Sequence, residues 1–115
     1  MRKTLSILFA AAFVGGAVIA IAAQGDAKAG EALYGTKKCA TCHQLKGQGN
    51  KVAAALDDAG KLSAADLKLW LTDPAVMEAK LAKKPAMSMA GWLKTAKLTD
   101  ADVAALVAYM QTLKK

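Results

Sequence analysis

The sequence predicts an all-α fold of about four to five helices, and three observations lead to this prediction. Apolar residues recur every three or four positions in several stretches, which is the spacing of one helix face. Residues that commonly cap helices, such as Ser63 and Thr99, stand at the start of two of these stretches. No stretch alternates apolar and polar residues as a half-buried strand would.

The chain begins with a segment that has the features of an export signal. A basic head of three residues precedes residues 5–23, which are nearly all apolar and carry no charge. Ala20-Ile21-Ala22 is a small-x-small cleavage site, so we expect residues 1–23 to be a bacterial-type signal peptide. Residues 24–115 would then fold in the periplasm. The apolar run is also long enough to cross a bilayer, so a retained membrane anchor is the alternative.

The first helix of the mature chain is predicted from Asp26, which can cap it, to Lys38. Gly30 and Tyr34 share one face of this helix because they are four residues apart. A glycine on a helix face lets another helix approach closely, or it merely weakens a surface helix.

Further helices follow a loop-like stretch at residues 44–61. Ser63 begins a helix that should stop by Thr72, because the following Pro74 disfavours helix at the residue before it. Pro74 can begin a second, short helix, and Thr99 begins the last one. The short helix is predicted to point three apolar side chains inward: Val76, Met77 and Leu81. The last helix carries an apolar stripe at helical spacing: Val103, Leu106, Val107, Met110 and Leu113.

The strongest chemical signal lies at Cys39-Ala40-Thr41-Cys42-His43. Two thiols three positions apart, followed directly by a histidine, form the attachment pattern for a c-type haem. The thiols can add to the two vinyl groups of one porphyrin, and the next residue then lies under the ring. We therefore predict one haem c held covalently by Cys39 and Cys42, with an imidazole nitrogen of His43 bonded to the iron.

Two other uses of a cysteine pair fit the sequence less well. A thioredoxin-like disulfide belongs to a fold in which strands alternate with helices, and no such strands are predicted. A zinc site formed by Cys39, Cys42 and His43 would lack its fourth ligand.

On these residues the chain resembles the class I c-type cytochromes throughout its mature part. Gly30-x-x-x-Tyr34 ahead of the haem motif resembles the family's N-terminal helix, and residues 106–109 resemble the C-terminal helix that crosses it. Residues 67–74 are similar to the central helix, which places an aromatic side chain, here Trp70, beside the haem. The resemblance implies a small cytochrome c fold wrapped around one covalently bound haem, with a methionine sulfur as the sixth ligand.

The chain departs from the family in two places. The family commonly has a proline whose carbonyl accepts the ring N–H of the axial histidine. Ala54 falls at that position, so which backbone carbonyl orients His43 is open at this point. The stretch between Pro74 and the methionine pair is longer than in mitochondrial cytochrome c, so the family's ligand loop does not transfer directly.

Two methionines in an irregular stretch compete for the sixth position. Met87 stands three residues before Ala90-Gly91, as in one family loop, whereas Met89 has the family's proline-to-methionine spacing. The distance from Met89 to the last helix is also closer to family values. We predict Met89 as the ligand and Met87 as the alternative, with the other packing on the ring edge. Met77 and Met110 lie on helical stripes, where methionine is more often core filler.

The resemblance implies an electron carrier rather than an enzyme, because both axial positions of the iron are filled. Without the leader the chain has fourteen basic and nine acidic residues, a net charge of +5. This charge favours redox proteins with acidic docking surfaces as partners. Nucleic-acid binding is not expected, since the lysines are scattered without interleaved aromatics. We expect a soluble monomer that meets a membrane only if the leader is retained.

Two alternatives to the soluble carrier remain. One is an open-site haem protein, peroxidase-like or gas-binding, which would require that neither Met87 nor Met89 binds the iron. The other is a tethered cytochrome subunit of a larger redox complex, held by an uncleaved leader.

Overall fold

The computed structural model describes residues 25–115, and the predicted leader at residues 1–23 lies outside them. Five α-helices make up most of the regular structure in this part: α1 (Ala27–Thr36), α2 (Ala64–Thr72), α3 (Pro74–Glu78), α4 (Met89–Ala96) and α5 (Asp100–Gln111). Two 3₁₀ turns, at Cys39–Thr41 and Ala59–Lys61, complete the helical part. The predicted all-α class with four to five helices is confirmed. None of the helices within residues 25–115 has both the length and the apolar character needed to span a membrane.

Four of these five helices begin with a side-chain cap. Asp26, Ser63 and Thr99, which the sequence predicts as caps, accept backbone N–H groups at the starts of α1, α2 and α5. Thr99 is part of a full capping box, because the carboxylate of Asp102 also accepts the N–H of Thr99. Ser88 caps α4, the helix that the hydrophobic pattern does not predict.

Helices α1 and α5 pack in close contact through Gly30. A methyl group at Gly30 would overlap the carbonyl of Ala105 and crowd the side chain of Tyr109, so only glycine fits there without a shift. The rings of Tyr34 and Tyr109 meet edge to face with their centroids 6.0 Å apart. Leu106, on the same face of α5, is fully buried. The close approach of another helix at Gly30 is thereby confirmed.

The core extends from α5 to α2 and to the loop that follows the cysteine motif. Its buried members are Leu45, Ala59, Leu67, Tyr109, Met110 and Leu113, with Tyr34, Leu56 and Val107 packed against them. The N–H of Gly60 donates to the carbonyl of Leu113 at 2.8 Å, which ties the loop to the end of the chain. The loop after the motif is therefore anchored at both of its ends.

Two short strands interrupt the helical architecture. Strands β1 (Gln44–Leu45) and β2 (Gln48–Gly49) pair antiparallel as a hairpin. Lys46 and Gly47 both have positive φ, of 52° and 76°, as a two-residue type I′ turn requires. The prediction of no strand is wrong at this point, because two residues per strand are too few to produce a visible alternation.

The short helix α3 buries less of its apolar surface than predicted. Met77 is 7% exposed, whereas Val76 and Leu81 are 41% and 44% exposed. The prediction of an inward side chain is therefore confirmed for Met77 and wrong for the other two. A helix of five residues has room for one narrow buried stripe, and Leu81 lies beyond its last residue.

Candidate haem-binding site

A single turn of backbone carries both thiols and the imidazole. Lys38 adopts a left-handed conformation (φ 58°, ψ 40°), which redirects the chain after α1 into the 3₁₀ turn at Cys39–Thr41. The carbonyl of Cys39 accepts the N–H groups of Cys42, at 3.2 Å, and His43, at 3.0 Å. The three functional residues of the motif are therefore held on one hydrogen-bonded turn, without a flexible link between them.

The loop at residues 44–57 folds back over this turn and bonds to it. The N–H of Asn50 donates to the carbonyl of Ala40 at 3.0 Å, and the N–H of Ala53 donates to the carbonyl of Cys42 at 2.8 Å. Gly49 has φ 102°, and a methyl group there would overlap the carbonyl of His43. The loop can lie this close to the motif because the residue at the contact is glycine.

The imidazole of His43 has a fixed orientation. Its Nδ1 lies 2.7 Å from the carbonyl oxygen of Ala54. Because a carbonyl only accepts, Nδ1 must carry the proton, and in the neutral ring the lone pair is then on Nε2. In a metal-bound histidine, the ring nitrogen that does not bind the metal usually donates its N–H to a backbone carbonyl or a carboxylate. Ala54 therefore supplies the orienting carbonyl that the sequence leaves open.

The two thiols are unbonded and half-buried. Burial raises the pKa of the Cys39 thiol to about 11, a backbone hydrogen bond acts in the opposite direction, and the charge of Cys42 adds to the rise. At neutral pH the Cys39 sulfur is therefore protonated. Thiol redox catalysts instead lower the pKa of the attacking thiol. The raised pKa of Cys39 thus disfavours the thioredoxin-like use.

The two candidate methionines differ in how firmly the protein holds them. Met87 lies in an irregular segment and is 66% exposed. Met89 is half-buried and begins α4, and its backbone N–H donates to Oε1 of Glu78 at 3.3 Å. The prediction that both lie in an irregular stretch is correct for Met87 and wrong for Met89.

Trp70 lies on α2 with its side chain half-buried. Its neighbours Leu69 and Leu71 are also half-buried, so this part of α2 keeps apolar surface that residues 25–115 do not cover. The predicted contact of Trp70 with haem stays a prediction, and its exposure leaves room for such a contact.

Trp92 links α4 to the end of α1. Its indole N–H donates to the carbonyl of Lys37 at 3.0 Å, and the Lys37 ammonium donates to the carbonyl of Ala96 at 2.8 Å. These two bonds attach α4, the helix that begins with Met89, to the backbone just before Cys39. Sequence reasoning could not find them, because both acceptors are backbone atoms more than fifty residues from their donors.

The residues of this site fit a covalently bound haem c. The motif supplies two free thiols on one turn and an imidazole whose lone pair is on Nε2. Histidine nitrogen with methionine sulfur is the axial pair of cytochromes c, and two methionines flank the start of α4.

The chain matches the cytochrome c family over residues 27–114, which is most of its length. It therefore belongs to the cytochrome c family, and its resemblance to the class I c-type cytochromes is confirmed. At this level the protein is a haem-binding electron-transfer cytochrome. Comparisons with curated proteins and with solved structures gave no match.

Proposed function

We propose that the protein is a soluble mono-haem cytochrome that transfers single electrons between periplasmic redox partners. The observation that carries this proposal is the bond between Nδ1 of His43 and the carbonyl of Ala54. It leaves the lone pair of Nε2 available beside two cysteines in attachment spacing. A haem bound there supplies reversible one-electron exchange at its iron.

Cys39 and Cys42 hold the haem covalently in this proposal, and His43 provides the first axial ligand. Met89 provides the second, with Met87 as the alternative. Support for Met89 comes from its backbone, which α4 and the bond to Glu78 hold in place. A methionine sulfur raises the reduction potential and leaves no position for a substrate. Trp70 is proposed to pack against the ring from α2.

The surface charge supports acidic redox proteins as partners. Residues 79–98 contain five lysines and no acidic residue. The methionine-bearing side of the site is therefore positive, and an acidic partner would be steered toward it. The rate of electron transfer to an acidic partner should then fall as salt screens the charges, while a basic partner should show the opposite trend.

Periplasmic location rests on the leader at residues 1–23. The intact mass of the exported protein tests this part directly. Loss of about 23 residues supports a free periplasmic carrier, whereas full length would indicate a tethered subunit.

Absorbance spectroscopy combined with intact mass tests the haem itself. We expect the mass of one haem on the wild-type chain, a low-spin spectrum in both oxidation states and a sulfur-to-iron charge-transfer band in the oxidised state. Substitution of Cys39 or Cys42 by alanine should break one of the two covalent links. A high-spin spectrum would instead support the open-site alternative.

Alanine substitutions at Met87 and Met89 identify the sixth ligand, and each variant is the control for the other. We expect Met89→Ala to abolish the charge-transfer band and Met87→Ala to retain it. Loss of the band in Met87→Ala alone would reverse the assignment. Retention in both single variants and in the double variant would overturn methionine ligation by this pair.

A further inference from the structure

The segment between α3 and α4 has few internal supports. Residues 79–88 are all exposed, and they include three lysines together with Met87. Turns at Lys80 and Leu81 continue α3 for a few residues. After them, the structure gives no acceptor for the backbone N–H groups of residues 82–84 and 86–88 among the residues it describes, and Pro85 has no N–H. Interactions other than backbone–backbone hydrogen bonds must therefore hold the end of this segment in position.

The carboxylate of Glu78, just before this segment, is hydrogen-bonded to the residues at its far end. Oε1 of Glu78, the last residue of α3, accepts the hydroxyl of Ser88 at 2.8 Å and the N–H of Met89 at 3.3 Å. The Ser88 oxygen in turn accepts the N–H of Ala90 at 3.1 Å. Glu78 thus supplies a partner to one of the free N–H groups at the start of α4 and orients the residue that caps it.

The carboxylate itself is attached to a well-packed element. Glu78 follows Met77, which is 7% exposed, and α3 begins at Pro74, which is also buried. Its position is therefore set by the core. The negative charge also favours the positive end of α4. The hydrogen bonds of Glu78 therefore hold the backbone at Ser88 and Met89 in a fixed position relative to α3.

We infer that Glu78 is a positioning residue for the sixth ligand, and this inference rests on the proposed function. Its two hydrogen bonds hold Ser88 and Met89, so that a methionine on either side of Ser88 starts from a fixed backbone position. Removing the acceptor oxygen lets the segment at residues 82–88 move, and the sulfur then competes less well for the iron. The effect acts through backbone placement, not through direct contact with the iron.

Competition by imidazole in the oxidised holoprotein tests this inference. Glu78→Ala is expected to lower the imidazole concentration for half-displacement of the charge-transfer band by about five- to tenfold, within the size expected for the net contribution of a typical intramolecular hydrogen bond. Ser88→Ala should lower it by about two- to threefold, since it removes the bond to Glu78 together with the cap on the N–H of Ala90. If Glu78→Ala does not give folded holoprotein, Glu78→Leu, which keeps a larger side chain but has no acceptor, decides.

Two matched variants separate the hydrogen bonds from the charge. Glu78→Gln removes the charge but keeps an acceptor oxygen, so it should stay within about twofold of wild type. Glu31→Ala removes the other glutamate of residues 25–115, an exposed residue of α1, and should leave the titration unchanged. Equal sensitivity in Glu78→Gln and Glu78→Ala would overturn the hydrogen-bond role.

The wild-type spectrum separates failure of this inference from failure of the proposed function. A wild-type charge-transfer band with unchanged imidazole competition in Glu78→Ala and Ser88→Ala would overturn the positioning role alone. Absence of the band from the wild type would overturn the six-coordinate carrier, and the positioning role with it.

Discussion

The histidine side and the methionine side of the site differ in how much of their geometry the protein supplies by itself. On the histidine side, a 3₁₀ turn, loop hydrogen bonds and the carbonyl of Ala54 fix His43. On the methionine side, residues 79–88 are exposed, and hydrogen bonds from Ser88 and Met89 to Glu78 link the two ends of this segment. The difference indicates that folding alone sets the position of His43, whereas the proposed methionine ligand is the one more easily displaced.

Truncation of a leucine in the core that supports the histidine side and of one on the methionine side should show the largest difference. Leu106 is fully buried in α5, so Leu106→Ala should lower the free energy of unfolding by about 3 kcal/mol or more. Leu81→Ala is the matched control on the methionine side, where the side chain is 44% exposed, and should cost less than about 0.5 kcal/mol. Chemical denaturation of the holoproteins measures both, and similar losses would contradict the contrast.

Adding a methyl group to helix α1 should show the next largest effect. Gly30→Ala should cost about 2 kcal/mol, because the new carbon would overlap the backbone of Ala105. Gly35→Ala is the control in the same helix, and nothing lies within 4 Å of its new carbon. That variant should be more stable than wild type by about 0.5 kcal/mol, since alanine favours the helix. Thermal or chemical unfolding that ranks the two variants equally would argue against the close contact of α1 and α5.

The bonds that join the two regions should have the smallest effects. Trp92→Phe keeps an aromatic ring but loses the bond to the carbonyl of Lys37, so a loss of about 1 kcal/mol is expected. Lys37→Met keeps most of the aliphatic stem and loses the bond to Ala96, with an expected loss of about 0.5 kcal/mol or less. Denaturant midpoints with equal slopes would measure both. A larger loss in Lys37→Met would show that the ammonium, not the indole, joins α4 to α1.

Much of the helical framework and the cysteine-histidine motif can be predicted from the sequence, because their signals depend on residue type and short spacing. Asp26, Ser63 and Thr99 are recognisable caps, and Gly30 stands where a helix contact needs it. The carbonyl of Ala54 is different. Every residue has a carbonyl, so the sequence cannot show which one accepts from His43.

The methionine side is predicted less well for a physical reason. Helix α4 starts directly after an exposed segment, and Gly91 weakens the helical signal near its start. Ser88 is the local sequence signal for the start of α4, because a serine often caps a helix and here accepts the N–H of Ala90. The contact from Glu78 joins residues ten and eleven positions apart and follows no helical or strand spacing.

The use of a main-chain acceptor for His43 has an evolutionary consequence. Replacement of Ala54 by another amino acid leaves the carbonyl in place, so the histidine bond tolerates substitution at the residue that provides it. Mutational sensitivity shifts instead to positions that set the path of the backbone, above all Gly49, whose φ of 102° and contact with the His43 carbonyl exclude other side chains. A survey of natural variants should therefore find position 49 held to glycine, whereas position 54 accepts alanine beside the family's common proline.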